Sequence, residues 1–577
     1  MKLSVFGSYT YNVKENSKYV PNNIKEGIGT KGLASKNDNK SNILLGNFTA
    51  NYKKSFGKHY MDVLGLAEIQ DYQYSGFGSN ARYFATNFFG FNNLMAGADI
   101  KHGDATSYAN GNKLVSFMGR FNYSYADKYI ATINMRGDGS SKLGANNKWG
   151  FFPSASLAWV LKEEDFLKDV SAVSNLTVRV GYGLTGNQDA ISAYNSLMLM
   201  SPTGTTTVNG KPVVTYGINR NDNPDLRWEK TSSWNVAVDF SFWSGRLSGS
   251  VDVYKKHTDD LIIDKIVAAS NGKQHLFINA GEMNNTGVEG NLSVGLLRSK
   301  LFDWNFNVNF GRNTNEVILA NDNLYNDLEK ITEMLNGNLA IEGEKLGMMY
   351  SFAYAGLSAD NGYPLFYGQD GKKYHGGDPT MMKLVKSGSI NPDLSGGFDT
   401  QLTFKKRLSL SIGFAYSIGG VKRLPAVYDD NSKVFDPLAN VSTDWKKRWR
   451  KSGDELKTDI PALYNSEFAN NFRYEGLMNY VDDEDGRRAV EQCTYYYDKS
   501  DHRVAKADYL RLRLIGLSYA MPGELAKKIG ASSMMLRFQA TNLHVWASKK
   551  WQGLDPETPD ANIPVLPAYS FGINVSF

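Results

Sequence analysis

Residues 568 to 577 read Ala-Tyr-Ser-Phe-Gly-Ile-Asn-Val-Ser-Phe. Tyr569, Phe571, Ile573, Val575 and Phe577 fall on one face, and Ala568, Ser570, Gly572, Asn574 and Ser576 on the other. In an extended chain successive side chains point to opposite sides, so this alternation predicts a strand whose two faces meet different surroundings. A tilted strand needs about 9–11 residues to cross a bilayer, which is the length seen here.

The same pattern recurs upstream. Trp234, Val236, Val238, Phe240 and Phe242 oppose Ser233, Asn235, Ala237, Asp239 and Ser241; Phe302, Trp304, Phe306, Val308 and Phe310 oppose Asp303, Asn305, Asn307 and Asn309; Leu408, Leu410, Ile412, Phe414 and Tyr416 oppose Ser409, Ser411, Gly413 and Ala415. A sandwich would turn the apolar faces onto a second sheet and a barrel would turn them to lipid, and alternation alone does not separate the two. Connection lengths do. About sixteen strands are expected, at residues 2 to 13, 43 to 52, 58 to 71, 113 to 126, 129 to 138, 149 to 162, 174 to 185, 227 to 243, 246 to 262, 282 to 297, 301 to 314, 395 to 404, 407 to 417, 508 to 519, 533 to 543 and 566 to 577. Long connections at 14 to 42, 72 to 112, 186 to 226, 315 to 394 and 418 to 507 mostly alternate with tight ones at 53 to 57, 127 to 128, 244 to 245, 298 to 300 and 405 to 406. That is the rhythm of an antiparallel transmembrane β-barrel with large outer loops, so 315 to 394 and 418 to 507 are expected to be extracellular loop regions. The strand-like stretch 348 to 356 is assigned to an excursion of the outer loop, because a wall strand there would break the phase. Residues 163 to 173 are long for an inner turn and are expected to hold a helical turn. The final strand, ending on Phe577, resembles the signal by which barrel-assembly machinery selects outer-membrane proteins, and makes Tyr569, Phe571, Ile573, Val575 and Phe577 the candidate assembly signal.

Composition is consistent with this all-β reading. The 577 residues include 13% aromatics and 55 Gly but only 16 Pro, and no apolar run approaches the length of a spanning helix. The mean hydropathy of -0.40 does not argue for a soluble protein, because a barrel strand averages its lipid and lumen faces. A net charge of +5, scattered rather than gathered into a stripe, gives no support to nucleic-acid binding. The single cysteine, Cys493, permits no internal disulfide and is read as a free thiol. Leu3-Ser-Val-Phe-Gly-Ser-Tyr9 alternates instead of building an apolar signal core, so the sequence reads as lacking an export signal of its own.

Several stretches resemble the SusC/RagA family of TonB-dependent outer-membrane transporters. They are Met135 to Leu167 (MRGDGSSKLGANNKWGFFPSASLAWVLKEEDFL), Arg179 to Gln188 (RVGYGLTGNQ), Asn223 to Tyr254 (beginning NPDLRWEKTSSW), NNTGVEGNLSV from Asn284, GSINPDLSGGFD from Gly388, DYLRLRLIGLSYAMP from Asp508, and TNLHVWASKKWQGLDPE from Thr541 to Glu557. The resemblance implies a barrel of about twenty-two strands behind a plug and a TonB-contacting region, of which residues 1 to 577 would be the carboxy-terminal sixteen strands, with the plug absent. It implies import of glycan or peptide oligomers, a SusD-like surface lipoprotein lid, coupling to the TonB system through the missing amino-terminal part, and the outer membrane as location. Within these motifs, Gly183, Gly186 and Asn187 are expected to supply positive φ where a strand enters an outer loop, and Pro224 and Trp228 to frame the return.

Capture of sugar rings needs aromatic faces. The stretch holding Tyr72, Tyr74, Phe77, Tyr83, Phe84, Phe88, Phe89 and Phe91, and the 418 to 507 region with Trp445, Trp449, Tyr495, Tyr496 and Tyr497, are rich in them. Tyr72, Tyr74, Phe88, Phe89, Trp445, Trp449 and Tyr496 are the candidate substrate-contacting or lid-contacting loop aromatics, against the plainer reading that they pack the loops or form an interfacial girdle. The acidic run Asp482 to Gly486 lacks the regular ligand spacing of a calcium loop and reads as solvated. Seven scattered histidines give no metal site, and no nucleophile or phosphate-binding motif is present, so catalytic, cofactor and metal residues are all set at none. Two other readings stay open: sixteen strands re-closed into a passive porin-like channel, or a gene remnant. A glycan-binding surface adhesin fits the loop rhythm less well.

Overall fold

The computed structural model of the chain describes residues 1–99, 104–267, 275–320, 327–427, 442–463, 477–478, 495–559 and 565–577. The chain divides into two compact units, residues 1 to 160, 179 to 234 and 257 to 281 in the first, and 161 to 178, 235 to 256 and 282 to 577 in the second. Sixteen long strands are present among the described residues: β1 Lys2–Val20, β2 Leu33–Phe56, β3 His59–Phe84, β4 Ala105–Tyr125, β5 Tyr129–Ser140, β6 Trp149–Val160, β7 Val173–Asn187, β8 Glu229–Phe242, β9 Leu247–Ile266, β10 His275–Arg298, β11 Phe302–Leu319, β12 Leu394–Phe404, β13 Leu408–Ile418, β14 Tyr509–Ala520, β15 Ser533–Ala547 and β16 Ala568–Ser576. Each of the sixteen expected strands has its counterpart. No helix among the described residues is long and apolar enough to cross a membrane, a statement that does not bear on strands.

In the first unit β1 through β6 pair antiparallel in chain order, with Ser8 opposite Leu45, Leu45 opposite Gln70, Gln70 opposite Leu114, and Leu114 opposite Ser140. The turns β4–β5, β8–β9 and β12–β13 each place their two central residues at positive φ: Ala126 and Asp127, Ser244 and Gly245, Lys405 and Lys406. Two positive φ values in a row give the mirror-image turn whose twist matches that of the flanking strands.

The other ends of the strands depart from the sequence expectation. β1 to β4 run 19, 24, 26 and 21 residues, so most of the expected loops 14 to 42 and 72 to 112 is strand. The reason lies in the surroundings. Alternation arises only where the two faces of a strand meet different surroundings, and Lys14-Glu-Asn-Ser-Lys18 and Lys36-Asn-Asp-Asn-Lys40, polar on both faces, carry none to read. Residues 348 to 356 form the short strands Met348–Phe352 and Tyr354–Leu357, which pair locally with Leu384–Ser389 and Pro364–Tyr367. Residues 161 to 172 hold a short 3-10 turn, Leu161–Glu163, after which the Lys162 ammonium donates to the carbonyls of Leu167, Lys168 and Val170.

Gly183, Gly186 and Asn187 lie in β7 with ordinary extended φ, which corrects the expectation of positive φ. The two glycines are needed for space. A Cβ on Gly186 would stand 2.1 Å from the Phe152 ring, and one on Gly183 would stand 2.9 Å from the Ser154 Cβ. Phe152 is buried with Leu143, Ile191, Leu226 and Trp228, its ring meeting that of Trp228 edge-on at 5.5 Å. Gly186→Ala is therefore expected to cost about 1–3 kcal/mol by overpacking. Pairing it with Phe152→Leu should recover part of that, and the heat needed to unfold the detergent-solubilised wall on a gel checks both.

Candidate functional site

Alternation sorts one side of the second unit's strands into a polar face. On β10 to β13 the ladder aligns Ser293, Asn307, Asp399 and Gly413, and beside them Gly295, Asn305, Gln401 and Ser411. Ser293 donates to the Asn307 side chain at 2.7 Å, and the Asn307 amide donates to Asp399 at 2.9 Å. The opposite side of the same strands is aromatic: Phe306 meets Phe398 at 6.2 Å, and Phe398 stacks on Phe414 at 4.8 Å. A water-facing polar row and an apolar row of rings suit a wall between an aqueous passage and lipid.

Between β11 and β12, and between β13 and β14, the described residues of the second unit build a separate body of short strands and turns. Its core is Leu335, Phe352, Phe366, Met382, Val427, Trp445, Tyr496 and Tyr497. Tyr496 packs on Phe352 at 4.3 Å and on Phe366 at 5.7 Å. Arg423, on the strand Val421–Arg423, is sunk into this body and donates to three carbonyls: Leu335 at 2.9 Å, Tyr350 at 2.7 Å and Ser500 at 3.2 Å. Burial pushes its guanidinium down to about 10, so it is still charged at neutral pH. Burial also pushes the Tyr497 phenol up, and its hydroxyl donates to the Asp459 carbonyl at 3.0 Å.

Two imidazoles in this body are held neutral by burial. His375 meets the Pro364 carbonyl through Nδ1 at 3.0 Å, and His502 lies against Tyr354 at 4.8 Å with Asp459 at 3.7 Å. Desolvation lowers both below the ordinary histidine value, only partly opposed by the Pro364 carbonyl and by Asp459. The unfolded state thus binds protons more readily, so stability of this body falls as pH drops through the ordinary histidine range and levels off once the folded imidazoles also charge. Hydrogen exchange over residues 495 to 503 should be faster at about pH 5.5 than at about pH 7.5, beyond the intrinsic rate change. The double variant His375→Gln, His502→Gln should lose most of that difference.

Two motifs act as clamps. In the first unit, the Asn223 side chain donates to the Phe277 carbonyl at 2.7 Å, Arg227 pairs with Asp260 at 2.5 Å, and the Trp228 indole donates to the Lys148 carbonyl at 3.1 Å. Glu229 accepts from Asn187 at 2.6 Å and from the Ile262 amide at 2.9 Å. In the second unit, Arg511 of β14 is buried against Asp555, donating at 2.7 and 2.9 Å, and against Glu557 at 2.5 Å. The buried Trp551 donates to the Lys506 carbonyl at 2.8 Å. These residues fasten the segments that follow or precede wall strands; their composition alone did not announce it.

The predicted aromatics go to different places. Tyr72 and Tyr74 stand on β3, not on a loop, and the Tyr74 hydroxyl accepts from Tyr108 at 3.1 Å. Trp445 and Tyr496 are buried in the core just described, so their rings are filled by packing. Trp449 is partly buried against Gly362 and donates to Glu455 at 3.2 Å. Phe88 and Phe89 present their rings outward, 86% and 41% exposed, in an edge-on pair at 5.4 Å. The residues of the candidate assembly signal, Tyr569, Phe571, Ile573, Val575 and Phe577, are all exposed. Cys493 and the acidic run 482 to 486 lie outside the described residues. Among the described residues no group of three His, Cys, Asp or Glu is placed to hold a metal ion.

Residues 2–414 match the family described as TonB dependent receptor-like, beta-barrel. The chain is 29% identical over 568 residues to TonB-dependent receptor P3 of Formosa agariphila, covering 94% of this chain and 51% of that protein. It is 28% identical over 551 residues to TonB-dependent receptor SusC of Bacteroides thetaiotaomicron, covering 92% and 50%. The fold matches a solved structure of the RagAB peptide transporter with a TM-score of 0.78 at 24% identity, over 100% of this chain and 60% of the other. The chain spans about half the length of the curated relatives it matches.

Proposed function

The chain belongs to the TonB-dependent receptor-like β-barrel family, on its SusC/RagA-like side, and from that premise we propose that it is the membrane wall of an outer-membrane uptake receptor for oligomeric nutrients, a glycan or a peptide. The observation that carries this reading is the polar face running through Ser293, Asn305, Asn307, Asp399, Gln401 and Ser411. Amides, hydroxyls and a carboxylate in register exchange hydrogen bonds readily with sugar hydroxyls or peptide groups, so an oligomer trades its water for the wall at small cost. A protein of like fold, the RagAB peptide transporter, carries peptides, and the same polar groups suit sugar hydroxyls, so both oligomer classes stay in the proposal. A SusD-like surface lipoprotein over the long loops, and TonB coupling through the rest of the receptor, complete the proposal. The family is one of receptors, and the activity proposed is transport without chemistry.

The test is uptake of fluorescent oligosaccharides and peptides by cells with the gene deleted, restored, or restored in a strain without TonB. Loss of one oligomer class on deletion, recovered by the gene only when TonB is present, is the expected result. Unchanged uptake of every oligomer would overturn the reading, and recovery without TonB would replace it with a passive channel.

A further inference from the structure

On β14 the alternation breaks at one residue. Gly413 pairs with Leu514 and Phe414 with Leu512, so Arg513 has no partner on β13. On the other side Leu512 pairs with His544 and Leu514 with Thr541, and Asn542, facing the irregularity, has φ of +55°. An extra residue of this kind is a β-bulge, a device that re-aims a side chain and that gathers near functional sites. Counting from Arg511, Arg513 belongs to the polar face; counting back from Gly516, so does Leu514. The bulge lets both stay there, while Leu512 and Ile515 keep the register of the apolar face.

Arg513 lines an open polar concavity of about 750 Å³ with Asp399, Gln401, Gln539, Thr541 and Asn542. The two arginines of this strand differ in what they meet. Arg511 is neutralised by Asp555 and Glu557, whereas the Arg513 guanidinium makes no ion pair or hydrogen bond among the described residues. Asp399 lines the concavity too, but its carboxylate is engaged by Asn307 and is not ion-paired with Arg513. The cavity therefore offers an unspent planar cation with several amide and hydroxyl donors around it. A guanidinium with five donors in a fixed fork matches a carboxylate, and in a water-filled passage it is available to a passing one.

We propose that this concavity is a subsite for a carboxylate carried on the transported oligomer, with Arg513 as its principal contact. The proposal rests on the uptake reading above and narrows it to acidic oligomers. The carboxylate comes from a uronic-acid residue of a glycan or from an acidic peptide, and the experiment separates these sources. The whole purified receptor in detergent is titrated with four labelled probes: an oligouronate, its carboxyl-reduced neutral counterpart, a glutamate-containing peptide, and its glutamine counterpart.

The expected result is that one acidic probe binds more tightly than its neutral partner. Arg513→Met should weaken that acidic probe by about tenfold or more and leave the neutral one unchanged, with Arg513→Lys in between. A normal heat-induced mobility shift verifies that each variant is folded. Equal binding of acidic and neutral probes, equal loss of both in Arg513→Met, or binding of none of the four would overturn the subsite. Uptake in cells is read in parallel. Oligomer import that survives while the acidic preference is absent removes the subsite and leaves the uptake reading standing; absence of any import removes both.

Discussion

Arg511→Met is expected to release the segment 548 to 559 from the wall and to open the Lys549–Lys550 bond to trypsin. In the folded chain Arg511 is 4% exposed and Asp555 is 9% exposed, so neither charge has water to fall back on. The pair is held by two hydrogen bonds to Asp555 and one to Glu557, and Tyr509 supports Glu557 from the side at 2.9 Å. Removing one member of a buried pair costs roughly 3–5 kcal/mol, because the partner stays behind uncompensated. Here that partner is Asp555, and its cheapest escape is to swing outward and carry the buried Trp551 with it. Local opening of this size changes proteolysis by orders of magnitude even when the rest of the wall is intact. The check is a time course of trypsin cleavage at Lys549–Lys550 in the purified receptor. Adding Asp555→Asn to Arg511→Met should slow the cleavage again, since the orphaned charge is gone. Lys422→Met serves as the control, because among the described residues its ammonium donates a single hydrogen bond, to the Glu557 carbonyl at 3.3 Å. Equal rates in Arg511→Met and the parent would show that the clamp is decoration.

Much of the wall was legible because lipid imposes a rule on every second residue. Phe306, Phe398 and Phe414 had to be apolar, Asn307, Asp399 and Gly413 were free to be polar or small, and a period of two reports that difference directly. Where both faces are polar the rule lapses. β1 and β2 run on through Asn12, Lys14, Asn37 and Asn39 in perfect register, held by backbone pairing that any residue supplies, so nothing in the composition marked them. The site was less legible for a different reason. Aromatic residues were sought for their faces, yet a ring buries as well as it binds, and Trp445 and Tyr496 went to the core while Phe88 and Phe89 stayed outside. Arg423, Arg511 and Arg513 look alike in sequence; three carbonyls, two carboxylates and an open cavity give them three separate roles. A phase break did mark one of them, since Leu514-Ile515 puts two apolar residues side by side in an otherwise alternating strand.

Arg423→Met should loosen the body formed by the two longest connections, with the largest effect on the helix Asp327–Asn336 and the strand Met348–Phe352. Arg423 reaches Leu335 in the last turn of that helix, Tyr350 in that strand, and Ser500 ahead of the turn Asp501–Arg503. The carbonyls at a helix C-terminus carry a partial negative charge that a cation satisfies, and the other two carbonyls share the same guanidinium. Methionine fills a similar volume but offers no donor, so Leu335, Tyr350 and Ser500 would lose a charged partner inside the body. Hydrogen bonds to a charged group contribute about 1.5–3 kcal/mol each, offset by the cost of burying the cation, and a net loss of about 3 kcal/mol follows. Arg423→Lys should recover only part of this, because one ammonium on a flexible stem does not span three carbonyls that the planar fork reaches together. Hydrogen exchange of residues 327 to 336 and 348 to 352, set against that of β12 and β13, measures the effect without requiring the wall to unfold. Faster exchange confined to those segments identifies Arg423 as the tie between the two connections. Unchanged protection would mean that the aromatic core around Phe352 and Tyr496 holds them unaided.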